Sequence, residues 1–343
     1  GGDLQVLMDG SVAATSAFTA VNSITITGTA DNDTLTIDFG GLSIDNVIPA
    51  GEITFDGSGG TDAMVLSGTT ATAIAHTFLA ADEGNVDIDG RVVNYDGLEP
   101  VTDTLIAGIR TMIFNPAAET ILVTDDDIAG DNISRIDSDF GELLDFAHPT
   151  AGLVIRGAGG NDTISINALD SLFPTIALTI DGEGGTDTVN LNTAASHSQL
   201  TVTADSINVT DDLTVTVSGE TLSSTNGISF TGGSLNVGAN TATLTATSGS
   251  ITGTDGGPID IVAGTLDLSV DGAGNDVGTS AGDRLEINAT NLDITTGGGA
   301  TDDVFVEDLA GGVTIGQIDA GSGNVTISST GQLVEDSDPD VDI

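Results

Sequence analysis

Hydrophobic and polar residues alternate in short runs along this chain, and the runs meet at glycine turns that carry one aspartate. Gly157-Ala158-Gly159-Gly160-Asn161-Asp162, followed by Thr163-Ile164-Ser165-Ile166, is the clearest case. Gly57-Ser58-Gly59-Gly60-Thr61-Asp62 and Gly182-Glu183-Gly184-Gly185-Thr186-Asp187 repeat it closely, while Gly28-Thr29-Ala30-Asp31-Asn32-Asp33 keeps only its ends. Apolar residues stand four and two positions before each first glycine: Ile24/Ile26, Ile53/Phe55, Leu153/Ile155 and Leu178/Ile180. They stand two and four positions after each aspartate: Leu35/Ile37, Met64/Leu66, Ile164/Ile166 and Val189/Leu191. Period-two alternation on both sides of a glycine turn predicts strand, tight corner, strand, with one face buried.

The turns come in two pairs. The pair beginning at Gly28 and Gly57 and the pair beginning at Gly157 and Gly182 are displaced by 129 and 125 residues, which predicts a duplicated β module over residues 1–195. Ala75-His76-Thr77 after the first pair and Ser196-His197-Ser198 after the second echo that duplication. Pro100, between the modules, predicts a strand end or bend. Over residues 196–343 a different repeat takes over. Ile207-Asn208-Val209 is followed by Leu213-Thr214-Val215, Ile228-Ser229-Phe230 by Leu235-Asn236-Val237, Ile259-Asp260-Ile261 by Leu266-Asp267-Leu268, and Leu285-Glu286-Ile287 by Leu292-Asp293-Ile294. These pairs begin at intervals of 21, 31 and 26 residues.

Such intervals suit one rung of a right-handed parallel β-solenoid, an elongated all-β fold in which each coil buries its inward residues against its neighbours. With strands about 4.8 Å apart and roughly 25 residues per coil, a solenoid of the full length would run on the order of 60 Å. Strand-turn-strand is also a hairpin, so tandem β-sandwich modules stand as the alternative for the N-terminal half. At the other end, Glu335-Asp336-Ser337-Asp338-Pro339-Asp340-Val341-Asp342-Ile343 resembles Thr254-Asp255-Gly256-Gly257-Pro258-Ile259-Asp260-Ile261. A new rung is expected to start there, docking end to end on another copy or on neighbouring repeats.

Composition favours a thin core repeated many times, since aromatic residues make up 3% of the chain and the apolar content lies in short Val, Ile and Leu runs. The formal net charge is -47, from 52 acidic residues against five arginines and no lysine. Without a basic patch, the chain lacks what nucleic-acid phosphates or an anionic membrane surface would bind. No apolar run approaches the roughly 20 residues of a membrane span, which argues against insertion. Self-repulsion on this scale points to screening by divalent cations or a saline medium; a carboxylate coat that only keeps the protein soluble is the other reading. Missing lysines rule out Lys-Asn or Lys-Asp isopeptide cross-links, and missing cysteines rule out disulfides and thiolate metal sites.

At Gly159-Gly160-Asn161-Asp162-Thr163-Ile164 the chain resembles the glycine- and aspartate-rich nonapeptide repeats of RTX proteins. That resemblance implies secretion from bacteria and a parallel β-roll that holds calcium through the Asp carboxylate and turn carbonyls. The spacing departs from the family: nonapeptides follow one another directly, whereas these turns lie 29 and 25 residues apart. A broader resemblance rests on Tyr95-Asp96-Gly97-Leu98-Glu99-Pro100-Val101 and on Gly312-Val313-Thr314-Ile315-Gly316 to Gly323-Asn324-Val325-Thr326-Ile327. These look like giant, repeat-rich bacterial surface proteins of the filamentous-haemagglutinin or adhesin kind. That likeness implies extracellular β-helical stalks or fibres used in adhesion, biofilm or surface coating.

Calcium is the sharpest chemical expectation. A glycine turn exposes carbonyls that a carboxylate on the same turn complements, as hard cations require. With turns stacked one rung apart, Asp33 with Asp62 and Asp162 with Asp187 are the expected ligands; the plainer alternative is that each Asp caps its turn by accepting backbone N–H groups. Asp125-Asp126-Asp127 with Asp131 reads as a solvated turn, and His76, His148 and His197 are too dispersed for a triad or zinc site. Scattered arginines, a lone Tyr95 and no Trp disfavour a β-helical polysaccharide-degrading enzyme. The expected function is an extracellular structural repeat protein, part of a cell-surface fibre, filament or layer. An adhesin stalk that binds glycans or surfaces is the alternative.

Overall fold

The computed structural model describes residues 3–8, 11–17, 20–48, 50–217, 219–254 and 256–336. Residues 337–343 of the terminal echo, and Asp255 of its counterpart, lie outside them. The fold is all-β: strands joined by turns, with no α-helix among the described residues and no helix long and apolar enough to cross a membrane. Two compact units divide the chain. One takes in the residues up to Ala158 together with Asp170–Pro174, and the other takes in Gly159–Leu169 and the residues from Thr175 onward.

The second unit is built from parallel strands in which each residue lies beside its counterpart one repeat later. Ile180 pairs with Val202, and the column continues through Leu222, Leu244, Leu268 and Ile294 to Ile318. All seven side chains are at most 3% exposed. A second inward column runs Ile164, Val189, Ile207, Ile228, Ile251, Val277, Val304, Val325, and a third runs Leu213, Leu235, Ile261, Ile287. Alternation does the sorting: the strand Thr241–Ala246 buries Ala242, Leu244 and Ala246 and turns its threonines outward. Branching at Cβ suits those threonines to a pleated, half-exposed surface. Outward amides also stack, with Asn208 donating to Asn190 at 2.8 Å and Asn190 to Ser165 at 3.2 Å.

The first unit is mixed. Leu35, Met64, Val101 and Leu144 form one parallel column, and Ile24, Ile53 and Val93 form another. Two antiparallel excursions interrupt them: Thr70–Ala80, Glu83–Ile88 and Arg91–Asp96, then Thr120–Asp125, Ile133–Ser138 and Leu144–Ala147. The first excursion turns back at Asp89 and Gly90, with φ of 51° and 85° between the paired Ile88 and Arg91. Positive φ at both central residues is what a two-residue hairpin requires, and Asp-Gly is a favoured sequence for it. Aromatic side chains pack in its interior, where Phe78 and Phe114 stack at 4.7 Å.

Truncation inside a column should therefore cost far more than truncation outside it. Leu244→Ala is expected to destabilise the chain by about 2–5 kcal/mol, and Thr243→Ala by no more than about 0.5 kcal/mol. Urea denaturation of the two variants checks this, and equal losses would overturn the assignment of inward and outward positions.

Candidate functional site

Three of the four glycine turns share one backbone. Ser58, Ala158 and Glu183, each second in its turn, have φ of 72°, 66° and 62°. Gly60, Gly160 and Gly185, each fourth, have φ of 133°, 123° and 139°, a region that disfavours any residue with a Cβ. A Cβ on Gly185 would also fall onto the Gly160 carbonyl of the neighbouring turn. Asp56 and Asp181 hold the second residue in place, accepting the N–H of Ser58 at 2.8 Å and of Glu183 at 3.0 Å.

The first glycine is needed for a different reason. A Cβ on Gly57 or Gly182 would come within 2.6 Å of Oδ2 of Asp62 or Asp187, five residues on. The Gly-to-Asp spacing thus records a carboxylate folded back over its own turn.

The structure brings the four expected ligands together as two pairs, one in each unit. Asp33 N–H donates to Asp62 Oδ1 at 2.6 Å, and Asp162 N–H donates to Asp187 Oδ1 at 2.9 Å. A reciprocal bond closes each stack: Thr61 N–H reaches Asn32 Oδ1 and Thr186 N–H reaches Asn161 Oδ1, both at 2.9 Å. In the second unit the series extends to Asp205, which accepts Asp187 N–H at 2.8 Å. Burial raises the Asp187 carboxyl, the Asp162 N–H partly offsets it, and the charges of Asp205 and Asp181 push it higher. Each downstream carboxylate therefore spends one oxygen on the turn above it. Among the described residues, no group of three or more His, Cys, Asp or Glu side chains is placed to hold a metal ion; a cation at these pairs would draw on two carboxylates and turn carbonyls.

The other acidic and histidine positions behave differently from one another. Asp126 Oδ1 caps Ile128 at 3.0 Å and Asp131 Oδ1 caps Ile133 at 2.9 Å, while Asp127 reaches Arg135 at 3.3 Å. That acidic run is a turn. His148 accepts or donates at Ser134 Oγ, 3.0 Å away, and meets Phe173 edge-on. His197 is buried with Nδ1 lacking a hydrogen-bond partner, and burial pushes it down to about 4.

Sequence reasoning missed His76, Asp103 and Arg110, which meet inside the first unit although they lie up to 34 residues apart. All three are at most 1% exposed. His76 Nε2 lies 2.9 Å from Asp103 Oδ2, the Arg110 guanidinium bonds the same oxygen, and Arg110 also donates to the Leu105 carbonyl at 2.8 Å. Burial would raise the Asp103 carboxyl, but Arg110 and His76 outweigh it and hold it at about 2. Sealed from solvent, the cluster offers no approach to a substrate and serves as a buried polar tie.

Several further carboxyls are buried without a cation beside them. Glu142 is pushed up to about 8 by burial and by the charges of Glu99, Asp82 and Asp137. Asp260 rises to about 7 through burial and the charge of Glu286. Glu220, which pairs with Ala242 in the sheet, has neither carboxylate oxygen hydrogen-bonded, and burial raises it strongly. Comparison with known protein families, with curated proteins and with solved structures finds no match to this chain.

Two outcomes follow from this geometry. Gly185→Ala should destabilise by about 2 kcal/mol or more, through backbone strain and collision with Gly160. Gly59→Ala, with open space around its Cβ, should stay within about 0.5 kcal/mol of the parent in the same thermal melt. The second outcome concerns pH. Glu142 and Asp260 keep protons in the folded chain that the unfolded chain, at the usual 4.5 and 3.8, has released. Below about 6.5 the buried His197, held at about 4, works in the opposite sense, so the fall in stability in calcium-free buffer is expected as pH rises from about 6.5 to about 8. Asp103 works in the opposite sense: its contribution is full above 3.8 and is lost as pH falls through about 2. Calorimetric Tm values across pH 2–9 check both limbs, and a Tm that climbs steadily from about pH 6.5 to 8 would contradict the first.

Proposed function

We propose that the chain is an extracellular structural repeat protein, a segment of a surface fibre, filament or layer, wound as a right-handed parallel β-solenoid. The observation that carries this reading is the Ile180-to-Ile318 column, in which one inward position recurs through seven strands at offsets of 20 to 26 residues. One chain circling a common core gives that register, and parallel crossovers take the right hand in nearly every known case. Its work would be mechanical. Backbone ladders resist extension along the stack, and dry aliphatic columns resist slippage, because moving one strand by a residue would expose its whole buried set.

Cations belong to the same proposal. A net charge of -47 opposes close packing of copies, and divalent ions at the stacked turns, with Asp33, Asp62, Asp162 and Asp187 as ligands, would relieve it. Electron microscopy of the purified chain with calcium and with chelator tests this. Filaments or ordered layers that grow with calcium are expected, and a chain that stays monomeric in both buffers would overturn the assembly.

A further inference from the structure

The turn column of the first unit does not end at its two aspartates. Leu35, Met64, Val101 and Leu144 pair in register, and Asp33, Asp62, Glu99 and Glu142 each stand two residues before them. The backbone is closed up here: Glu99 N–H donates to the Asp62 carbonyl at 2.6 Å, and Val101 N–H to the Leu143 carbonyl at 3.0 Å. Acidic residues therefore occupy the same place just before each of the four strands of this column.

At the Glu142 end of this column two buried polar groups lack partners. Glu142 is 2% exposed, and its Oε2 makes no hydrogen bond. Tyr95, in the strand Arg91–Asp96, is also 2% exposed, and its hydroxyl makes none. That hydroxyl lies over Gly84, where a Cβ would strike it. Leu98 N–H donates to the Asp82 carbonyl at 3.1 Å, bringing that residue to the same end. The charges that face Glu142 are Glu99, Asp82 and Asp137, and all are negative. Burial first, then the Glu142 charge, keeps the Tyr95 hydroxyl protonated.

Leaving a buried donor or acceptor unmade costs about 1–3 kcal/mol each, and such atoms in a native fold commonly mark an ion or water. A water would satisfy hydrogen bonds but leave the burial and the negative neighbours that hold a proton on Glu142. A hard divalent cation satisfies the oxygens and removes the repulsion together.

We propose that Glu142 and Glu99, with the Tyr95 hydroxyl beside them, form a site for a divalent cation of the calcium class. Two carboxylates fall short of a three-carboxylate cluster, so backbone carbonyls and water complete the oxygen shell. The site continues the column of the Asp33–Asp62 turns, is distinct from the Asp162–Asp187 pair of the other unit, and does not depend on assembly into fibres.

Tyr95 is the single tyrosine of a chain without tryptophan, so it reports on this place alone. Terbium, which takes calcium-type oxygen sites, emits when excited through an adjacent tyrosine. The folded chain should give tyrosine-sensitised terbium emission that saturates and that added calcium displaces. Glu142→Gln should lose most of it, the Asp162→Ala/Asp187→Ala variant should keep it, and Tyr95→Phe should lose the emission while calcium still raises its Tm. No sensitised emission from the wild-type chain, or emission unchanged by Glu142→Gln in a variant with native circular dichroism, overturns the site. A calcium-insensitive Tm in Tyr95→Phe does the same should Glu142→Gln fail to fold. A chain that stays monomeric under the microscope overturns the fibre reading and leaves this result standing.

Discussion

Parallel pairing in register sets each residue beside its own counterpart in the next repeat, and that rule decides what each position can hold. For aliphatic side chains the consequence is favourable, since Leu222 on Leu244 on Leu268 builds a dry column without any long-range choreography. For amides it is favourable too, because one Asn can donate to the next. For carboxylates it is a problem, as it stacks like charges at strand spacing, about 4.8 Å. The chain answers in three ways: a carboxylate is turned onto the N–H of the neighbouring turn, kept protonated by burial, or, by our proposal, bridged by an ion.

Size limits follow from the same rule. The parallel unit draws most of its interior from Val, Ile, Leu and Ala, with Phe230 also buried, and at the tightest corners even a Cβ is excluded. Among its buried polar residues, Glu220 sits opposite the short Ala242, and burial rather than a partner charge raises its carboxyl strongly. The mixed unit buries Phe78, Phe114 and Phe146 and the His76–Asp103–Arg110 tie. A buried tie of this kind adds little net stability but is costly to break, since removing Arg110 would strand the Asp103 charge in the core.

Much of this was legible in the chain itself. The 25-residue spacing of the turns at Gly157 and Gly182 reappears as the pairing of Thr163 with Thr188, and the 29-residue spacing of the first pair as Leu35 with Met64. Both are local patterns repeated, which is what a sequence displays most openly. The hairpin at Asp89-Gly90 carried a recognised turn signal that the surrounding repeats obscured. The buried tie had no signal, because the parallel pairing that assembles it, His76 beside Met112 and Asp103 beside Leu66, runs at offsets of 36 and 37 residues that no sequence repeat announces; the influence of Glu142 on Tyr95 had none either, because it depends on where an antiparallel excursion returns. The departure of the Gly28 turn is intelligible afterwards: with Asp31 in the fourth place, it lacks the glycine with which its relatives take a strongly positive φ there.

The placement of the few basic residues has a consequence of another kind. Arg91, Arg110, Arg135 and Arg156 lie within strands, Arg284 stands immediately before one, and there is no lysine anywhere. Proteases that cut after basic residues need an extended, accessible segment around their target. In this chain every such bond is tied into or against a hydrogen-bonded ladder, while the long stretches of exposed turn offer them nothing to recognise. Digestive enzymes of the tryptic kind would have to wait for a ladder to open.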